Sequence, residues 1–253
     1  SEKPHNTFAV IGNLVLMDLF REYDQAVILS RNHLQKKGRD SQLELLHTHF
    51  LIKINDIDAA KQRYYQLPQS VLDLPFSKGL IAQIQMHDNN YSDALANLLD
   101  AYKHSPNTQN VQLIYQCYYG LGQGDRSYSF LKNHVEKYPQ DLESLMQLAA
   151  LQINTNLDES ILNYEKALKI APNNFIALNN LAKTALVDGQ IKLAKEYAER
   201  SLKIAQALGF AESFRNATFD SIASSYFLRK EIFFSNVSVP FFAVFFIALR
   251  KNR

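Results

Sequence analysis

The chain has 253 residues, enough to bury a sizeable core in one or two domains. Its residues are 47 % hydrophobic and 21 % charged, with a formal net charge of +2. That is an ordinary soluble balance, without the basic excess a nucleic-acid surface requires. Cys117 is the single cysteine, which excludes an intrachain disulfide.

The opening segment, SEKPHNTF, has no Met and no signal pattern and already runs into helical periodicity. The reading is a processed or truncated C-terminal piece of a longer protein. Only 8 glycines are present, strand-and-turn blocks are few, and Leu and Ala are plentiful. The fold class is therefore all-α. REYDQAVILSRNHL (21–34) and INDIDAAKQRYYQL (54–67) each read as the second helix of a pair, with Ala26 and Ala60 in a small-residue slot. Between them lies HTH, where His47 and His49 stand two positions apart. Residues so spaced point to different sides of a helix and cannot share a metal. Both are expected as surface or groove polar residues.

From residue 75 onward a repeat is plain. Pro106, Pro139 and Pro172 each stand 33 residues from the next, and each follows a helical pattern. The unit 75–105 offers Ile81, Ala82, Tyr91, Ala94, Leu98 and Ala101; the unit 106–138 offers Val111, Ile114, Tyr115, Tyr118, Ser127 and Leu131. The unit 139–171 carries Leu145, Leu148, Ala149, Ser160, Tyr164 and Ala167 in corresponding places. In 172–205, Leu178, Leu181, Ala182 and Ala185 form one helical stripe. Gly189 then suits a helix C-cap, and Ala194, Ala198 and Ser201 put small residues on one face of the second helix. Small residues let two helix backbones approach closely, so each unit is expected to be a tight antiparallel helix pair.

This spacing and these slots resemble the tetratricopeptide (TPR) repeat, a helix-turn-helix unit of about 34 residues. The resemblance covers about six units across 1–205 and implies a right-handed TPR superhelix, an α-solenoid of antiparallel helix pairs. It also implies a protein-binding scaffold, not an enzyme, with the first helix of each unit lining a concave groove. Positions one step off the buried stripe would face that groove: Gln83 and Met86; Gln112, Gln116 and Tyr119; Met146, Gln147, Ala150 and Ile153; Asn179, Asn180, Lys183 and Leu186. Of these, Gln83, Gln116, Tyr119, Gln147, Asn180 and Lys183 are the expected partner-binding residues on one continuous surface. Amides suit an extended peptide backbone because they both donate and accept. Asn180 occupies a slot similar to an Asn of the chaperone-binding class that clamps a terminal carboxylate, although the basic partners of that clamp are missing here.

More narrowly, 76–123 (FSKGLIAQIQMHDNNYSDALANLLDAYKHSPNTQNVQLIYQCYYGLGQ) and 177–205 (ALNNLAKTALVDGQIKLAKEYAERSLKIA) resemble the TPR lipoproteins of bacterial PEP-CTERM/exosortase systems. That resemblance implies a bacterial cell-envelope setting in exopolysaccharide and protein-sorting assembly; the alternative is cytoplasmic. A further alternative is the regulatory TPR array of a larger enzyme such as a glycosyltransferase.

Reactive chemistry is sparse. No His-Glu-x-x-His or Cys-x-x-Cys supplies a zinc ligand set. Cys117 reads as a buried, inert thiol, and GLGQGD (120–125) as a turn between helices, since it lacks the Lys-Ser/Thr of a P-loop. No catalytic residue, metal or cofactor is expected, and the partner is a protein or peptide with no nucleic acid. Beyond 205 the pattern changes. Residues 206–231 read as an insertion and a partial seventh repeat built on Phe219, Ile222, Ala223 and Tyr226. Residues 232–249 are 18 consecutive uncharged positions before RKNR, with Pro240 inside. This tail is a membrane or sorting segment, an apolar strip folding back as a cap, or a divergent end.

Overall fold

The computed structural model describes residues 7–207 apart from Arg39. The described residues are all-helical, built as antiparallel helix pairs. Two compact units are present, divided between Ser144 and Leu145. The first holds α1 (Thr7–Leu19) with α2 (Tyr23–Lys37), and α3 (Ser41–Lys53) with α4 (Ile57–Tyr64). A single turn, α5 (Gln69–Leu72), follows, then α6 (Pro75–His87) with α7 (Tyr91–His104), and α8 (Thr108–Gly120) with α9 (Gly124–Lys137). The second unit takes the C-terminal part of α10 (Leu142–Gln152), then α11 (Leu157–Ile170), and α12 (Phe175–Val187) with α13 (Ile191–Ala207).

The start of several helices is written locally. Asp40 accepts hydrogen bonds from the backbone N–H of Gln42 and Leu43, at 3.1 and 3.0 Å. Asn107, Asn156 and Asn174 cap α8, α11 and α12 in the same way, accepting from Asn110, Glu159 and Ala177. Such caps satisfy backbone donors that have no partner inside the helix and contribute about 1 kcal/mol each. Pro75 opens α6 at a position where its missing N–H is harmless.

The turn inside every pair but α10–α11 also repeats. Arg21, Asn55, Asn89, Gly122 and Gly189 all have positive φ, between 59° and 82°. One residue on, the N–H of Glu22, Asp56, Asn90, Gln123 and Gln190 bonds back five residues, to the carbonyls of Met17, Leu51, Gln85, Tyr118 and Ala185. These bonds are 2.8–2.9 Å long and close the same left-handed helix ending each time. The first four turn residues stand 34, 34 and 33 positions apart. The repeat period therefore reaches back to α1, well ahead of the first proline that marks it.

Packing follows the small-residue slots. Ala26, Ala60, Ala82, Ala94, Ala149, Ala167 and Ala182 are all fully buried. Where serine replaces alanine, the hydroxyl finds a neighbouring carbonyl. Ser127 of α9 donates to Tyr115 of α8 at 3.0 Å, and Ser160 of α11 donates to Ala149 of α10 at 2.7 Å. A small side chain thus allows close approach and still pairs its polar atom. Leu14, Phe50, Leu51, Leu80 and Ile84 anchor one core cluster of the first unit, and Leu98, Ile114 and Cys117 a second. In the second unit Ala149, Tyr164 and Leu181 are fully buried together, with Met146, Ile161 and Tyr197 against them.

The structure corrects the reading of the two histidines. His47 is 2 % exposed and His49 5 %, so neither is a surface or groove residue. His47 Nδ1 lies 2.8 Å from the Ser30 hydroxyl of α2, and His49 Nε2 lies 3.1 Å from Asp18 of α1. Helix α3 has helices packed on several sides, so residues facing opposite ways both end up covered. Each histidine serves a different helix contact.

Candidate protein-binding surface

A pocket of the first unit is assembled by α6, α7 and α8. Met86 and His87 come from the last turn of α6, Tyr91 from the start of α7, and Tyr115, Gln116, Tyr119 and Gly120 from α8. It is an open depression of about 410 Å³. Tyr115 and Tyr119 share a helix face because they are four residues apart. Tyr119 is 71 % exposed, so its ring is open to solvent at the pocket mouth. Gly120 is where it is for a steric reason: a methyl group there would lie 2.9 Å from the Tyr91 ring. With any other residue at this position the Tyr91 ring would have to shift.

Gln116 and Tyr119, two of the expected partner-binding residues, meet here together with Met86. Gln83 is half-buried one turn earlier on α6, and its side-chain amide donates to its own helix, to the Gly79 carbonyl at 3.1 Å. Tyr91 and His87 were not among the groove positions read from the sequence. Tyr91 opens a second helix, and only the α6–α7 packing turns it toward α8. No Lys, Arg, Asp or Glu is among the described residues that line the pocket.

In the second unit the polar positions are of a different kind. Gln147 is half-buried with its carboxamide oxygen unpartnered among the described residues. Asn179 is 8 % exposed, and its carboxamide oxygen also lacks a partner there. Asn180 and Lys183 are half-buried on α12. Burial lowers the pKa of the Lys183 ammonium, and no carboxylate pairs with it among the described residues. Tyr164 is pushed up to about 12, chiefly by burial, with the nearby Asn180 amide acting the other way. This cluster is polar and costly to bury, unlike the tyrosine pocket of the first unit.

Elsewhere the residues that resembled reactive chemistry have structural settings. Burial pushes the Cys117 thiol up to about 11, far from the thiolate a nucleophile requires. GLGQGD spans the end of α8, the positive-φ turn at Gly122 and the start of α9. Among the described residues no three His, Cys, Asp or Glu side chains gather as a metal site. No helix among them is long and apolar enough to cross a membrane. The tail 232–249 and the partial repeat before it lie outside the described residues.

Comparison with known proteins agrees with this architecture. The tetratricopeptide repeat family model matches residues 163–196. That match runs from within α11 to within α13, across the whole of α12. Among solved structures, a thermophilic TPR protein of Thermus thermophilus aligns with a TM-score of 0.57 at 19 % identity, over 72 % of this chain and 100 % of that one. PilW, a widely conserved type IV pilus biogenesis factor, aligns with a TM-score of 0.62 at 15 % identity, over 85 % and 99 %. The C-terminal part of a TPR-containing protein from Cytophaga hutchinsonii aligns with a TM-score of 0.59 at 14 % identity, over 86 % and 88 %. At these identities the likeness is one of fold: a TPR array of helix pairs.

Proposed function

We propose that this TPR array is a protein-interaction scaffold that holds a peptide or protein segment against the first helices of its units. The observation that carries this is the tyrosine- and methionine-lined pocket on α6, α7 and α8, where Tyr119 stands exposed beside Met86 and Gln116. Tyrosine and methionine give large, adaptable contact area, and aromatic residues concentrate binding energy at protein interfaces. Gln83, Gln147, Asn180 and Lys183 extend the proposed contact set as polar positions that meet a partner's backbone or its anionic groups.

We further propose a setting in the bacterial cell envelope, in exopolysaccharide or protein-sorting assembly, with membrane association through residues 232–249. Support for this comes from the resemblance carried by 76–123 and 177–205, and from the uncharged tail before RKNR.

Site-specific photocrosslinking in the native organism tests the scaffold reading. A benzophenone side chain at Gln116, on the pocket, is expected to capture a defined protein partner that the same probe at the exposed Ile28 does not. Equal or absent capture at the two positions overturns it. Membrane fractionation with and without residues 232–253 tests the envelope setting, and a chain that stays with the cytosolic fraction in both forms overturns that part alone.

A further inference from the structure

We propose that α1 is an interior first helix of the array, and that its outer face is covered by the second helix of a further TPR pair on its N-terminal side. The positive-φ turn residue of each pair gives a common count along α1, α3, α6, α8 and α12. Five residues ahead of it stand Phe50, Ile84, Cys117 and Thr184, each no more than 1 % exposed. Eight ahead stand His47, Ile81, Ile114 and Leu181, all buried. The residue twelve ahead is buried in the same four helices. Steps of four and three residues keep these positions on one helix face. In α1 that face is Leu16, Asn13 and Ala9, and all three are exposed, Leu16 by 54 %. The inward side of α1 is nonetheless docked. Leu14 is fully buried, and Asp18 pairs with His49 of α3.

The later pairs show what covers this face. His47 lies 2.8 Å from the Ser30 hydroxyl of α2. Ile114 and Cys117 pack with Ala94 and Leu98 of α7, and Leu181 packs with Tyr164 of α11. Each time the cover is the second helix of the preceding pair, with an apolar stripe turned toward the first helix that follows. A helix that ends a solenoid needs a polar outer face. Asp18 is the sole charged residue of α1, and it faces α3. Leu16 and, just past the helix end, Phe20 stand on the outer face instead, both exposed. Lipid is a poorer occupant, because α1 carries no basic residue for a headgroup. Val15, one residue from Leu16, occupies the step of Gln83, Gln116 and Lys183, which stay exposed or half-buried beneath their own preceding helices. The added helix therefore covers Leu16 and leaves Val15 open.

The test places a benzophenone side chain at Leu16 or at Val15 in the chromosomal gene, so that the whole natural polypeptide is made. Light is expected to join the Leu16 probe within its own chain, to a segment N-terminal to Ser1, with no gain in mass. The Val15 probe is expected to form no such bond. A Leu16 product of doubled mass would identify a second copy as the occupant and overturns the proposal. A product with lipid or another protein, no product, or equal intrachain yield from the two probes also overturns it. Stability of the natural chain gives a second readout. Leu16→Glu is expected to lower its melting temperature by about 4 °C or more, and Val15→Glu to leave it within about 1 °C. Equal shifts in the two variants overturn the assignment of this face. None of these outcomes bears on capture at Gln116, so the scaffold reading is tested separately.

Discussion

His134 on α9 and Asp141 just before α10 are joined by a 2.9 Å hydrogen bond from the imidazole Nε2–H to the carboxylate. That bond leaves Nδ1 as an acceptor, and the Tyr102 hydroxyl of α7 donates to it at 2.7 Å. Thr108 and Ser144 donate to the same carboxylate, at 3.0 and 2.8 Å. Burial opposes ionisation of Asp141, but the bonds from Ser144, His134 and Thr108 together hold its carboxyl below the usual range. One acid thus ties the second helix of one pair, the start of α8 and the end of α9. Asp141→Ala strands a buried imidazole N–H and two hydroxyls and is expected to cost about 3 kcal/mol, whereas Tyr102→Phe should cost about 1 kcal/mol. Amide hydrogen exchange in α7 and α9 measures both. Equal protection in Asp141→Ala and the parent would show that the network contributes nothing.

The paired histidines of α3 predict a pH dependence. His47 is held down at about 4, first by burial and then by the positive charges of Arg63 and Arg31. The unfolded chain titrates near 6.5 and so binds the proton more readily than the folded one. The stabilisation is complete above pH 6.5 and is lost as pH falls from there toward 4. It amounts to roughly 2–3 kcal/mol over that window. Urea unfolding at pH 7 and pH 4.5 should show the loss, and His47→Gln should flatten it. A His47→Gln variant with an undiminished pH slope would assign the effect to other groups.

Three turns inside the helix pairs place a side chain where glycine is easier. Arg21 has φ 59°, in the region where a Cβ is strained. Arg21→Gly is expected to stabilise the chain by up to about 1 kcal/mol, and Gly122→Ala to destabilise it by about as much. Thermal melts of the two variants should move in opposite directions.

Core and pocket substitutions should separate cleanly. Leu181 is fully buried on α12, and Leu181→Ala is expected to lose about 2–5 kcal/mol of stability. Tyr119→Ala should change stability by about 0.5 kcal/mol or less while costing partner binding. Chemical denaturation of both variants checks the first half, and the yield of the Gln116 photocrosslink in a Tyr119→Ala chain the second.

Cys117 gives a probe of opening. With its thiol buried and raised to about 11, alkylation of the folded chain at pH 8 is expected to be slow and to match the opening of α8. Rapid labelling in the absence of denaturant would place the thiol at the surface.

The helix pairs were legible because their signals are local. Leu178, Leu181, Ala182 and Ala185 lie on one stripe, and all four are fully buried. The 33-residue proline spacing marked the later units. The earlier ones carry the same turn on Arg21, Asn55 and Asn89, where asparagine is a weaker signal for positive φ than glycine and arginine is none. Gln116, Tyr119 and Met86 were readable as one step off the buried stripe, since helical geometry alone sets that offset. The sequence by itself therefore determined the helices, their pairing and the small-residue contacts, because each depends on spacings within a few turns of chain.

Tertiary structure decided the rest. His47 and His49 became core residues because α2, α1 and α6 cover α3 on several sides, a fact no two-residue spacing contains. Tyr91 became a pocket wall because Gly120, 29 positions later, leaves room for its ring. Burial and pocket shape depend on which faces meet, and those faces are brought together by residues far apart in the chain.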